Sequence, residues 1–276
     1  MKYGIIILIL TLSWGFGQCD LGDINCDGDL NVLDVVLMVN MILEDEYDEI
    51  ADVNEDGVIN VLDVVILVNL ILDGAPVCEG VEDIDGNCYE TIQIGGQVWM
   101  AENLKVTHYR DGSEIPNITN NGDWSGLSTG AYGDYDNNPT NSETYGRLYN
   151  WYTVDDDRGV CPDGWHVPSD GEYTVLTDYL GGEDIAGGKM KEAGNEHWTS
   201  QNFDATNESG FTGLPAGFRG NSIGHYSGIG SFGDFWSSSE SSSSNAWDRG
   251  LGFSGPYVLR YDANKLAGFS IRCLAD

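Results

Sequence analysis

The chain has 276 residues, a formal net charge of −33 and a pI of about 4.1. A chain this acidic does not bind nucleic acid, whose phosphates need a basic face, and it is repelled by anionic membrane surfaces. The length suits two domains, one small and one large, and the surplus carboxylates read as a solvated surface that keeps the protein soluble.

In chain order, residues 1–17 read as a signal peptide. Lys2 is the positive start, residues 5–12 are the apolar core, and Gly15 and Gly17 are the small residues before a cut at Gln18. The apolar run is too short to span a bilayer, and no second hydrophobic stretch of membrane length follows. Phe16 and Gln18 do not suit a lipid-attachment signal at Cys19. Six cysteines on an exported chain imply disulfides. Cys161 and Cys273 are a plausible pair, Cys78 and Cys88 bracket the linker, and Cys19 and Cys26 lie near the next motif.

That motif occurs twice. Asp23, Asn25, Asp27, Asn31 and Asp34 surround Gly28, and Asp52, Asn54, Asp56, Asn60 and Asp63 surround Gly57 in the same spacing. The oxygen side chains fall at loop positions 1, 3, 5, 9 and 12, with glycine at the sharp turn, a pattern that wraps a hard cation needing six to eight oxygens at about 2.3–2.6 Å. Position 7, Asp29 and Val58, offers a backbone carbonyl, so its side chain is free to vary. Two Ca²⁺ ions are expected. Each loop opens into an apolar-periodic helix, over 32–43 and 61–72. In the first, Val32, Val35, Val36, Val39, Ile42 and Leu43 are expected on one face.

The repeat resembles the type I dockerin module, in which the loop ends in Asp at position 12 and only the following helix is present. The module is assigned to residues 18–74. The resemblance implies two bound Ca²⁺ and a cohesin partner. Dockerins usually place a Ser/Thr pair at loop positions 10 and 11, whereas this chain has Val32-Leu33 and Val61-Leu62. The basic pair often found one turn later is Val39-Asn40 and Val68-Asn69. Calcium binding therefore carries over and partner identity does not. Val32, Leu33, Val61 and Leu62 are the expected contact surface, for a cohesin-like domain or the adjacent domain.

Residues 73–76 (Asp-Gly-Ala-Pro) stop the second helix, and 75–82 read as a linker. From Asp83 glycine and aromatic residues rise. A turn at 85–87, a strand over 89–94 and a hairpin at Gly95-Gly96 follow. Ser169 and Glu172 form a capping box ahead of a helix with Tyr173, Leu176 and Leu180 on one face and Gly181-Gly182 at its end. The serine run, 237–239 and 241–244, reads as a turn between strands.

Residues 83–276 resemble the Fibrobacter succinogenes major paralogous domain. The likeness runs through Ile94-Gly-Gly-Gln-Val-Trp-Met-Ala-Glu-Asn103, Gly146-Arg-Leu-Tyr-Asn-Trp151, Cys161-Pro-Asp-Gly-Trp-His-Val-Pro-Ser169, Trp236-Ser-Ser-Ser-Glu240 and Gly268-Phe-Ser-Ile-Arg-Cys273. It implies a loop-rich α+β domain, C-type-lectin-like or formylglycine-generating-enzyme-like, beside the small all-α calcium-loop helix pair. No activity is firmly attached to the family.

No catalytic residue is assigned. The Gly-x-Ser-x-Gly and His-Glu-x-x-His motifs are absent, and His166 suits a structural hydrogen-bonding role. Glu114-Ile-Pro-Asn117 and Trp247-Asp248 lack the spacing of the lectin calcium site. Trp124, Tyr132 and Tyr135 lie in a Gly/Asn/Asp-rich loop and are the expected exposed rings for stacking on sugar. The expected function is a secreted, non-catalytic binding protein that docks through calcium and holds an extracellular ligand such as a polysaccharide. The rivals are a carbohydrate-active hydrolase docked through the same module, and a structural surface protein with a calcium-stiffened spacer. Buried carboxylates with raised pKa in a cleft would favour the hydrolase, an exposed aromatic platform the glycan binder, and burial of the Val-Leu pairs the spacer.

Overall fold

A computed structural model describes residues 21–44, 46–54, 56–74, 78, 80–199 and 201–276. The expected signal peptide, Cys19 and much of the expected linker lie outside them. The chain divides just before Cys78 into two units, each described by itself.

The first unit holds two helices, α1 (Val32–Glu44) and α2 (Val61–Gly74). Each starts where an acidic loop ends, with Asp34 or Asp63 in its first turn. Met38, Ala51 and Leu67 are fully buried, and Val35, Ile42, Val64 and Ile71 pack around them. The expected single apolar face is corrected here. Val35 and Ile42 turn inward, but Val32, Val36, Val39 and Leu43 stay exposed. Both helices are apolar nearly all round, so periodicity alone could not say which stripe the core would take. The buried stripe runs through Asp34 and Met38, and the stripe at Val32, Val36, Val39 and Leu43 is left outside.

The second unit is mixed helix and sheet. Its strands are β1 (Val81–Glu82), β2 (Cys88–Tyr89), β3 (Thr91–Ile94), β4 (Gln97–Met100), β5 (Tyr132–Gly133), β6 (Leu148–Tyr149), β7 (Trp165–His166), β8 (Ala216–Arg219), β9 (Tyr226–Ile229), β10 (Phe232–Glu240), β11 (Asn245–Gly252), β12 (Val258–Asn264) and β13 (Leu274–Ala275). Its α-helices are α3 (Asn121–Trp124), α4 (Pro139–Tyr145), α5 (Trp151–Val154), α6 (Asp170–Tyr179) and α7 (Glu183–Met190).

A five-stranded sheet runs β12-β11-β10-β8-β9, and a four-stranded sheet runs β3-β4-β13-β7. Side chains alternate across a strand, and β10 uses both faces. Trp236 joins a core with Tyr149, Trp151, Phe269 and Ile271, while Phe235 joins a second core with Trp99, Tyr173, Leu176, Phe211 and Leu251. Buried cations are held by backbone carbonyls and side-chain amides. Lys191 donates to the carbonyls of Phe203, Gly252 and Gly255 at 2.9–3.1 Å, Arg272 reaches Asn103 and Met100, and Arg219 reaches Gly224.

The capping box stands as expected. Ser169 Oγ accepts from Glu172 N, and Glu172 Oε2 accepts from Ser169 N at 2.7 Å. Gly95 and Gly96 link β3 to β4, with Ile94 opposite Gln97. Cys161 and Cys273 form a disulfide, as do Cys78 and Cys88, and Cys26 is also disulfide-bonded. Two expectations are corrected. Val81 and Glu82, read as linker, form β1 against β2, because the Cys78–Cys88 bridge ties this stretch to the strand after it. Ser237–Ser239, read as turn, lie inside β10. There Ser237 Oγ donates to Trp247 O and its carbonyl accepts from Trp151 Nε1. Only residues 241–244 make the turn.

Candidate functional sites: two acidic loops and an aromatic recess

The two loops repeat one hydrogen-bond scheme. Asp23 accepts from the backbone NH groups of Asp27 (3.2 Å) and Gly28 (3.0 Å), and Asp52 from those of Asp56 (3.1 Å) and Gly57 (2.8 Å). Asp34 accepts from Asn25 and Asn31, and Asp63 from Asn54 and Asn60. Asn25 and Asn54 each accept from the NH two residues on, at 2.9 Å. Gly28 and Gly57 take φ of +93° and +86°, the left-handed turn that position 6 requires.

Asp23, Asp34, Asp52 and Asp63 are 0–4% exposed. Residues 18–77 contain no Lys, Arg or His at all. A buried carboxylate needs a compensating charge, and the side chains of residues 18–77 supply none. An oxygen-only donor set around buried, uncompensated carboxylates fits Ca²⁺. Asp23, Asn25, Asp27, Asn31 and Asp34, with the Asp29 carbonyl, would hold one ion. Asp52, Asn54, Asp56, Asn60 and Asp63, with the Val58 carbonyl, would hold the other. A bound cation would neutralise the loop so that the helix behind it can form.

The positions beside the loops are exposed in matched pairs: Val32 at 67% and Val61 at 71%, Leu33 at 56% and Leu62 at 51%. Val36 and Val65 extend the two stripes by one turn and are exposed as well. The helix pair thus presents the same apolar residues twice.

The loop aromatics expected outside are inside, and their proposed stacking on sugar is withdrawn. Trp124, Tyr132 and Tyr135 are 0%, 8% and 7% exposed. The Trp124 ring lies 4.1 Å from the Arg219 guanidinium and donates through Nε1 to Leu266 O. Tyr132 packs on Tyr149 and beneath Arg147, and Tyr135 packs on Tyr226. The polar residues around them are spent on the loop backbone, as where Asn120 caps α3, so the rings are free to fill the core.

His166 bridges Asp276 (2.7 Å) and Glu172 (3.1 Å), a structural link between α6 and the end of the chain. Glu192, Glu196 and His197 gather their ligand atoms within 4.8 Å. The His197–Glu192 contact at 2.7 Å accounts for two of the three.

A site that sequence reasoning missed lies on one face of the five-stranded sheet. Asp234 of β10 and Asp248 of β11 line a recess of about 440 Å³ with Phe218, Phe232, Tyr261 and Phe269. Asp234 faces Gly250 across the strands, and Asp248 faces Trp236, so the two carboxyls are diagonal neighbours on one face. Asp248 is 2% exposed, and its Oδ1 has no hydrogen-bond partner. Burial pushes Asp234 up to about 7. Burial first, and then the charge of Asp234, pushes Asp248 up to about 8. Arg249 is turned to the other face, where it pairs with Asp170 at 2.8 Å. The available signal was one aspartate beside an aromatic residue in each of two neighbouring strands. Among 45 acidic residues it did not stand out.

Among the described residues, no helix is long and apolar enough to cross a membrane. Comparison with family models finds the Dockerin type I domain over residues 21–72 and the Fibrobacter succinogenes major domain over residues 92–275. No curated protein and no solved structure matches.

Proposed function

Because the chain belongs to the Fibrobacter succinogenes major domain family and carries a type I dockerin domain ahead of it, we infer that it is a secreted attachment protein. A calcium-loaded helix pair docks it to a cohesin, and the large unit, a loop-rich α+β body of C-type-lectin-like character, presents a binding site outside the cell. Type I dockerins bind calcium, and a dockerin supports docking to a cohesin. The assignment of two ions, the contact residues and the ligand are this proposal.

The observation that carries it is the matched exposure of Val32-Leu33 and Val61-Leu62 beside two buried, uncompensated acidic loops. Apolar pairs left outside an otherwise acidic module mark an interface. Because both repeats present the same residues, a partner can seat in either of two orientations related by a half-turn.

The test is calcium-dependent capture of cohesin domains by the full chain. Changing Val32 and Leu33 to Ser leaves capture largely intact through the second face. Changing all four to Ser abolishes it while calcium uptake persists. Full capture by the quadruple variant overturns the assignment of the surface.

A second reading, a hydrolase docked in the same way, is favoured by Asp234 and Asp248. A pair of carboxyls poised near neutrality is a feature of glycosidic-bond cleavage. Release of reducing ends from soluble polysaccharide, lost in Asp234→Asn and Asp248→Asn, would establish it.

A further inference from the structure

We propose that the recess carrying Asp234 and Asp248 is a binding site for a neutral saccharide. Its hydroxyls would meet the two carboxyls, and its C–H faces would rest on the aromatic walls. This names the ligand class of the large unit within the attachment reading above, and it stands or fails separately from docking.

The floor of the recess requires a polar ligand. Asp248 is 2% exposed with Oδ1 unpartnered, and a buried carboxyl oxygen without a donor is destabilising until something donates to it. Among the described residues, no side chain or backbone NH donates to either carboxyl. Asp234 projects into the space that Gly250 leaves open. A Cβ at Gly250 would lie 2.9 Å from Asp234 Oδ1, and ordinary distances resume only at Leu259.

The walls require a ligand with apolar faces. Phe218, Phe232, Tyr261 and Phe269 surround the carboxyls, and Phe232 and Tyr261 present much of their rings to solvent. A flat ring with C–H faces and a hydroxyl rim satisfies walls and floor together. The volume of about 440 Å³ falls within the range for a bound organic molecule, about 300–1,000 Å³, and far exceeds what a single ion fills.

Charge narrows the class further. No basic side chain lines the recess. The cation acting on Asp248, Arg249, is engaged by Asp170 and Thr174 on the opposite face, and the further charge acting on Asp248 is Asp262, another acid. Anionic ligands are therefore excluded. Near neutral pH the two carboxyls hold a proton between them, so the pair both donates and accepts. A hydroxyl does the same. An ammonium only donates, and it leaves the proton held by the pair without an acceptor.

The experiment screens the full chain, calcium-loaded, against an array of neutral glycans. Alkylammonium-coated and anionic-glycan surfaces serve as comparison arms. Wild type is expected to retain neutral glycans, and the best of them is then titrated. Asp248→Ala should weaken it at least tenfold. Phe232→Ala, which removes a partly exposed ring, should weaken it severalfold without altering the melting temperature. Asp248→Asn keeps an oxygen acceptor and should fall between wild type and Asp248→Ala. Cohesin capture should be unchanged in all three, which separates failure here from failure of docking. The proposal is overturned if no neutral glycan is retained, if the variants bind as wild type does, or if the alkylammonium surface is preferred.

Discussion

Gly250 stands directly across β10 and β11 from Asp234, and its missing side chain is the space that the Asp234 carboxyl enters. A methyl group there would sit 2.9 Å from Oδ1, at the movable end of a side chain. The strand itself tolerates alanine. Gly250→Ala is therefore expected to change stability by less than about 1 kcal/mol while displacing the carboxyl and lowering glycan retention severalfold. Thermal melts beside glycan titration check both halves.

Asp234 and Asp248 also set a pH dependence. Their folded-state pKa values are raised, to about 7 and about 8, above the ordinary 3.8. The folded state therefore holds more protons than the unfolded chain between these limits, and the slope of unfolding free energy with pH is negative there. Stability of the large unit is fully present below about pH 4 as far as this pair is concerned, and it is lost as pH rises through 7 and 8. The lowered carboxyls, Asp170 and Glu172 among them, act in the opposite sense and at more acid pH. Asp248→Asn should flatten the decline and be more stable than wild type at pH 8, by on the order of 2–3 kcal/mol after allowance for relaxation and water entry. Melting temperatures from pH 5 to 9 measure it. An unchanged slope in the variant would show that the carboxyl is not buried as described.

Calorimetric titration of the full chain with Ca²⁺ should count two ions. Asp23→Ala and Asp52→Ala should each leave one, since each removes a carboxylate that is 3–4% exposed and organises two loop NH groups. Helical ellipticity should fall in chelator, because metal affinity here is folding energy. Full helicity in chelator would refute that coupling.

The Cys161–Cys273 bridge closes a separation of 112 residues. Chain entropy values such a closure at roughly 4–5 kcal/mol, an upper figure. Replacing both cysteines with serine should lower the melting temperature of the large unit by several degrees, and non-reducing peptide mapping of wild type should show the two peptides joined.

The acidic loops, the capping box, the β3–β4 hairpin and the Cys161–Cys273 pair were legible in the sequence, because each depends on residue types at fixed short spacing or on a family motif. The buried stripe of α1 was not legible. A helix apolar on most of its circumference leaves the choice of face to its partner, and Met38 and Asp34 won over Val32 and Val36. The rings of Trp124, Tyr132 and Tyr135 were misplaced because composition reports a loop's backbone rather than where its largest side chains go. Asp234 and Asp248 became visible only through strand register, which brings together residues that local pattern cannot associate.

β13 lies between β4 and β7 in the four-stranded sheet, and its Leu274 pairs with both Trp99 and His166. Synthesis proceeds from the other end. Until Leu274 has been made, β4 and β7 each present an unpaired edge, and Cys161 has no Cys273 to meet. The large unit is thus a body whose centre is delivered last. Until then the open edges invite pairing between neighbouring copies. A chain cut before Leu274 would keep every helix of the unit and lack the strand that joins its sheet.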